Sequence, residues 1–177
     1  MNAITPARAA KGHQSARAQS DTWLTPPDIL KALGPFDLDP CACPLPRPWS
    51  TAEVMWTKED GPLDRAWSHT GHRLVWLNPP FGPRPLVRAF VDRMAMHGHG
   101  VALLPATTET ALWQNLVWPS ATAVLFLAGR PHFHHQDGTR AAANSGQAIA
   151  LVAYGWGGAD RLIACDLPGK LVMLHER

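Results

Sequence analysis

Leu74-Val75-Trp76-Leu77-Asn78-Pro79-Pro80-Phe81 joins four consecutive apolar residues to a turn that can continue neither a helix nor a central strand. A run with no polar alternation predicts a strand covered on both faces, as in an α/β sheet. The two prolines stop it, fix the backbone and withhold two N–H donors. What remains at the end of the strand is a set of acceptors, the Asn78 amide oxygen and the proline carbonyls, followed by the aromatic face of Phe81. That combination suits a flat group bearing an NH2: acceptors for its hydrogens and a ring to stack on.

Moving outward from this turn, the chain alternates helix and strand signals. A helix is expected from about Pro85 to Met96, with Leu86, Val87, Phe90, Val91 and Met94 on one face. Val101–Leu104 is a further apolar strand ended by Pro105. A helix around Glu109–Val117 leads to a strand at Ala123–Leu127, and a polar loop of Gly, His and Arg leads to another at Ala148–Tyr154. The last 22 residues read as one or two short strands. Upstream, Thr25 is expected as a helix N-cap with Pro26 in the first helical position, Asp28 in the first turn and Gly34 as the stop. Phe36-Asp37-Leu38-Asp39 follows as a short strand closed by Pro40, and residues 40–70 read as irregular. Apolar strands alternating with helices predict an α/β fold with a mostly parallel sheet. No internal repeat is visible.

The 177 residues are enough for one ordinary domain and too few for a catalytic domain with a large separate specificity domain. A hydrophobic share of 46% excludes a disordered chain. No apolar run approaches the roughly 18–20 residues of a membrane span, and no secretory signal opens the chain, so a soluble intracellular protein with no membrane partner is expected. Three cysteines are too few for a disulfide framework. The net charge of +2 is unevenly placed. Residues 1–20 contain Arg8, Lys11 and Arg17 and no acid, and read as a disordered basic tail ahead of a single domain at 21–177. The body, one charge negative without that tail, is no general polyanion binder; nucleic-acid affinity must come from a local patch, the tail or contacts to bases.

An aromatic exocyclic amine is a poor nucleophile because its lone pair is delocalised into the ring. Accepting both of its hydrogens localises that pair, and an activated methyl can then be attacked in line without a metal or a covalent intermediate. Asn78-Pro79-Pro80-Phe81 resembles the catalytic motif of amino-methyltransferases that use S-adenosylmethionine. The wider pattern looks like the small phage-type DNA N6-adenine methyltransferases: Trp23-Leu24-Thr25-Pro26-Pro27, Phe36-Asp37-Leu38-Asp39-Pro40-Cys41-Ala42, Glu59-Asp60-Gly61-Pro62-Leu63 with Trp67, the Asn-Pro-Pro-Phe element, Leu103-Leu104-Pro105-Ala106-Thr107 and Gly129-Arg130-Pro131-His132-Phe133. It covers roughly residues 21–154, nearly all of the chain after the tail.

The resemblance implies a Rossmann-like methyltransferase fold, S-adenosylmethionine as cofactor and adenine in DNA as substrate, in the cytoplasm of a bacterial host if phage or prophage encoded. It assigns catalysis to Asn78, Pro79, Pro80 and Phe81, and donor binding to Trp23, Thr25, Pro26, Asp37, Asp39, Pro40 and Asp60. Phe81 stands where tyrosine is common, which keeps the stacking face. No Gly-x-Gly follows the first acidic strand, Cys41-Ala42-Cys43 standing there instead. Only 39 positions separate Asp39 from Asn78, too few for the usual intervening strands and helices.

Several readings stay open in the sequence. Asp37 and Asp39 are donor contacts, at its methionine end or its ribose end, or else acids on an edge strand. Asp60 is a donor contact or part of a turn, and Trp23 a pocket wall or a hydrophobic staple. Arg84 and Arg88, four residues apart after the turn, are phosphate contacts or solvated surface. His132, His134 and His135 have spacings that fit no common zinc pattern, so no metal is expected. Rival functions are methylation of cytosine N4, RNA adenine or a glutamine side chain, and a donor- or DNA-binding module that does not catalyse.

Overall fold

The computed structural model describes residues 23–67 and 73–177. The basic tail expected at 1–20 lies outside the described residues. Helix α1 (Pro27–Leu33) leads to strands β1 (Leu38–Asp39) and β2 (Val54–Met55), then a 3-10 turn at Lys58–Asp60. Strand β3 (Val75–Leu77), helix α2 (Arg84–His97) and strand β4 (Gly100–Pro105) follow. A π-helical turn (Trp113–Val117) precedes β5 (Ala123–Leu127), β6 (Ile149–Tyr154), helix α3 (Gly155–Ala164) and β7 (Gly169–Met173).

The strands form one mixed sheet in the order β2-β1-β3-β4-β6-β5-β7. Side chains alternate across it. Trp76, Val101, Leu103 and Leu151 join Leu33 of α1 and Leu162 of α3 on one face. Val75, Leu77, Ala102, Leu104 and Val152 join Phe90, Val91 and Met94 of α2 with Trp113 on the other. Both faces are therefore covered, which is why β3, β4 and β6 carry no polar alternation.

The expectation of a mostly parallel sheet is corrected. β1–β2, β1–β3 and β3–β4 are parallel, but β4–β6, β5–β6 and β5–β7 are antiparallel and contain the longer ladders. A continuous apolar run reports two covered faces and says nothing of strand direction, so β6 could not be oriented from its residues.

Other boundaries also move. Pro26 is the N-cap of α1 and Pro27 its first residue, so Thr25 does not cap the helix. Val54–Met55 is a strand inside the segment expected to be irregular. The helix expected at Glu109–Val117 is largely a π turn, in which Trp118 N–H donates to Trp113 O at 2.9 Å. Of the last 22 residues, those up to Ala164 are helical and only Gly169–Met173 is a strand. Gly155, Gly157 and Gly158 disguise that helix in the sequence. A Cβ on Gly158 would stand 2.1 Å from Gly100 O and one on Gly157 would stand 2.2 Å from the His99 ring, so these glycines let α3 lie against the start of β4.

Candidate active site

β1 and β3 are parallel neighbours, so Asp39-Pro40 and Asn78-Pro79-Pro80 emerge side by side at the carboxyl edge of the sheet. Open α/β sheets bind ligands at that edge. There a cleft of about 660 Å³ is lined by Trp23, Pro40, Asn78, Pro79, Pro80 and Phe81 among others. Its size is within the roughly 300–1,000 Å³ of small-molecule sites. Residues 53 positions apart meet beneath it: the Asn78 Nδ2 donates to Thr25 Oγ1 at 3.2 Å. The other amide atom of Asn78, Oδ1, is buried and has no hydrogen-bond partner among the described residues. An acceptor so placed is costly to bury unless a ligand donor arrives. Phe81 is 42% exposed, and the edge-on ring of Phe133, 6.4 Å away between centroids, supports it.

The wall opposite depends on Asp39. Its carboxylate is buried, accepts from Cys41 N–H at 2.8 Å and from the Thr51 hydroxyl, and so ties down the Pro40–Pro44 segment that lines the cleft. Burial pushes its pKa up to about 6, against the downward pull of Thr51, the Cys41 N–H and Arg47. Burial, followed by the charge of Asp39, also pushes the Cys41 thiol well up, which keeps it protonated and a poor nucleophile.

Of the residues singled out in the sequence, Trp23, Pro40 and Asn78 to Phe81 share the cleft, and Thr25 and Asp39 hold groups that line it. Pro26 caps α1 beside Thr25. The structure does not bring Asp37 to the cleft: its carboxylate accepts the Leu74 N–H at 2.7 Å and braces β1 against the start of β3. Asp60 is turned to its own loop, accepting the Thr57 N–H at 2.8 Å, with Arg65 3.9 Å away. Its neighbours Lys58, Glu59 and Asp64 line the cleft instead. Nothing in the sequence separates Glu59 from Asp60; only the capping of the 3-10 turn by Asp60 does so. Arg84 and Arg88 are exposed on the first turns of α2, just past Phe81. Among the described residues no group of three or more His, Cys, Asp or Glu is placed to hold a metal.

The sequence marks the loop between β5 and β6 as polar and, at Gly129–Phe133, as part of the family pattern, but assigns none of its residues to the site; the structure shows that it shapes the site. It contributes Phe133 to Phe81, and it clamps the segment before α1: Leu24 N–H donates to His134 O at 2.9 Å and His134 N–H to Leu24 O at 3.0 Å. The His135 ring lies 5.0 Å from that of Trp23.

A family model described as DNA N-6-adenine-methyltransferase (Dam) matches residues 12–164. The chain belongs to this family. No curated protein and no solved structure matches it. As a Dam-family DNA adenine methyltransferase, the enzyme methylates adenine at N6 in DNA, and an Asn-Pro-Pro-Phe turn offering acceptors beside an exposed ring is in keeping with that amine as target. No helix among the described residues is long and apolar enough to cross a membrane.

Proposed function

We propose that this Dam-family enzyme takes its methyl group from S-adenosylmethionine bound in the cleft, and that Asn78, Pro79, Pro80 and Phe81 hold the target adenine. The observation that carries this reading is the Asn78 amide, with Nδ2 engaged by Thr25 and Oδ1 buried without a partner among the described residues, next to an exposed Phe81. The sheet supports a Rossmann-like methyltransferase fold with a shortened first half. β1 to β5 all run in one direction, reversed β6 is inserted between β4 and β5, and among the described residues only β1 and β2 precede β3.

The residues present fit the donor. Trp23, Pro40 and Leu63 offer apolar walls, while Lys58, Glu59 and Asp64 offer charge for a molecule that carries both signs. Bound S-adenosylmethionine supplies an electrophilic methyl, and the rest falls to the chain. Phe81 stacks on the adenine ring. Asn78 Oδ1 and the Pro79 carbonyl accept the two hydrogens of the amine, drawing its nitrogen toward tetrahedral geometry and localising the lone pair. Because that amine is inside the stack of a duplex, the base is flipped into the cleft or taken from DNA where it is already exposed. Arg84 and Arg88 contact phosphate. If the gene is of phage or prophage origin, the setting is the cytoplasm of the bacterial host.

Asn78→Ala tests the reading. Turnover on adenine-containing DNA is expected to fall roughly 10²–10³-fold, the scale of losing one preorganised group at a reacting centre. Donor affinity by calorimetry and the thermal midpoint should scarcely change, since the loss falls on the transition state. Turnover at the wild-type rate would remove Asn78 from catalysis.

A further inference from the structure

Thr25 is 2% exposed, and its hydroxyl is neither a helix cap, Pro26 having that place, nor part of the cleft lining. A buried hydroxyl needs a hydrogen-bond partner, and among the described residues the Asn78 amide is the one it has. Its backbone is held from outside: the Leu24–His134 clamp pins the residue before it and α1 begins two residues after it. Thr25 is thus a fixed point against which the amide of Asn78 is set.

An asparagine amide has two ends of similar shape and opposite character. With Nδ2 turned to Thr25, Oδ1 is left as an acceptor. With the amide turned over, two N–H donors would confront the two N–H donors of an adenine amine, and the contact would repel. We propose that Thr25 is a positioning residue of methyl transfer: its hydroxyl anchors the inner end of the Asn78 amide and fixes the amide plane, and with Nδ2 on Thr25 it is Oδ1 that is presented to the target amine. The inference rests on the assignment of Asn78 as the acceptor. It separates Thr25 from the donor-binding role that the sequence suggested, because a residue acting through Asn78 alters the chemical step and leaves donor affinity alone.

The experiment compares Thr25→Val, Thr25→Ala and Thr25→Ser in the full chain, with kcat and KM measured separately for S-adenosylmethionine and for an adenine-containing duplex. Valine keeps the shape of threonine without the hydroxyl, and alanine serves if the valine protein does not fold. Either should lower kcat roughly 10- to 100-fold, by analogy with the loss of a partner that orients a metal ligand, with both KM values and the thermal midpoint little changed. Thr25→Ser should restore most of kcat. A rise in donor KM at unchanged kcat would overturn the inference. Wild-type kcat in Thr25→Val beside an inactive Asn78→Ala would overturn this inference alone, whereas full activity of Asn78→Ala would overturn the assignment beneath it.

Discussion

Asp39 is 2% exposed, and its carboxyl titrates near 6 where an ordinary aspartate titrates near 3.8. A carboxyl raised on folding binds its proton more tightly in the folded state than in the unfolded one. Its contribution to stability is full below about pH 3.8 and is lost as pH rises through about 6. Above that range the fold bears a penalty of roughly 3 kcal/mol for the buried charge. Asp39→Asn keeps the shape and an acceptor for the Cys41 N–H while removing the charge. The variant should gain stability relative to the wild type between about pH 4 and pH 8, as checked by chemical denaturation at both ends. A difference that does not move with pH would show that Asp39 does not titrate in this window. The Phe36-Asp37-Leu38-Asp39 stretch makes both acids candidates; only the fold separates them, one tying down the cleft wall and the other bracing β3 through the Leu74 N–H.

The elements show which local signals survive in three dimensions. Helix α2 follows its pattern closely, with Phe90, Val91 and Met94 buried as their spacing requires. Arg84 and Arg88 begin that helix, where cations oppose the helix dipole, so their position does nothing for helix stability and suits a phosphate partner. Helix α3 is hidden in the sequence because its first turn contains three glycines, poor helix formers on their own. The close approach of α3 to β4 makes them necessary. Gly158→Ala should therefore destabilise the protein by about 1–3 kcal/mol or more, the usual cost of overpacking, despite alanine's better helix propensity. Gly82 has open space, with nothing among the described residues within 4 Å of the point where a Cβ would stand, and should accept alanine almost without cost. Urea denaturation of the two variants makes the comparison, and an unchanged Gly158→Ala would mean that α3 can move away from Gly100.

Charge is a property of the whole molecule. The body is one charge negative, while residues 1–20 bring Arg8, Lys11 and Arg17. DNA binding by the enzyme should accordingly depend on a few phosphate contacts and not on a broad field. Arg84→Ala and Arg88→Ala should each weaken binding to all sequences alike and lower the salt slope by about 1. Deleting residues 1–20 should lower the slope further. Titrations on matched and unmatched duplexes over a range of salt read these effects. An altered sequence preference in either arginine variant would make it a reader of bases, and an unchanged slope after truncation would make the tail a bystander.

What the chain specified by itself is what contiguous residues can specify: a buried strand ended by Asn78-Pro79-Pro80-Phe81, the helix after it, and an order of motifs sufficient to resemble a family. These depend on backbone restriction by proline and on side-chain periodicity, which need no partner far along the chain. Strand direction, the choice between Asp37 and Asp39 or between Glu59 and Asp60, and the contact of Thr25 with Asn78 were decided by tertiary structure. Thr25 and Asn78 are 53 positions apart, and only the pairing of β1 with β3 and the clamp of Leu24 on His134 bring the hydroxyl to the amide. A hydrogen bond is directional and short, so which end of Asn78 is free for chemistry became a fact about the molecule only when the chain had folded around it.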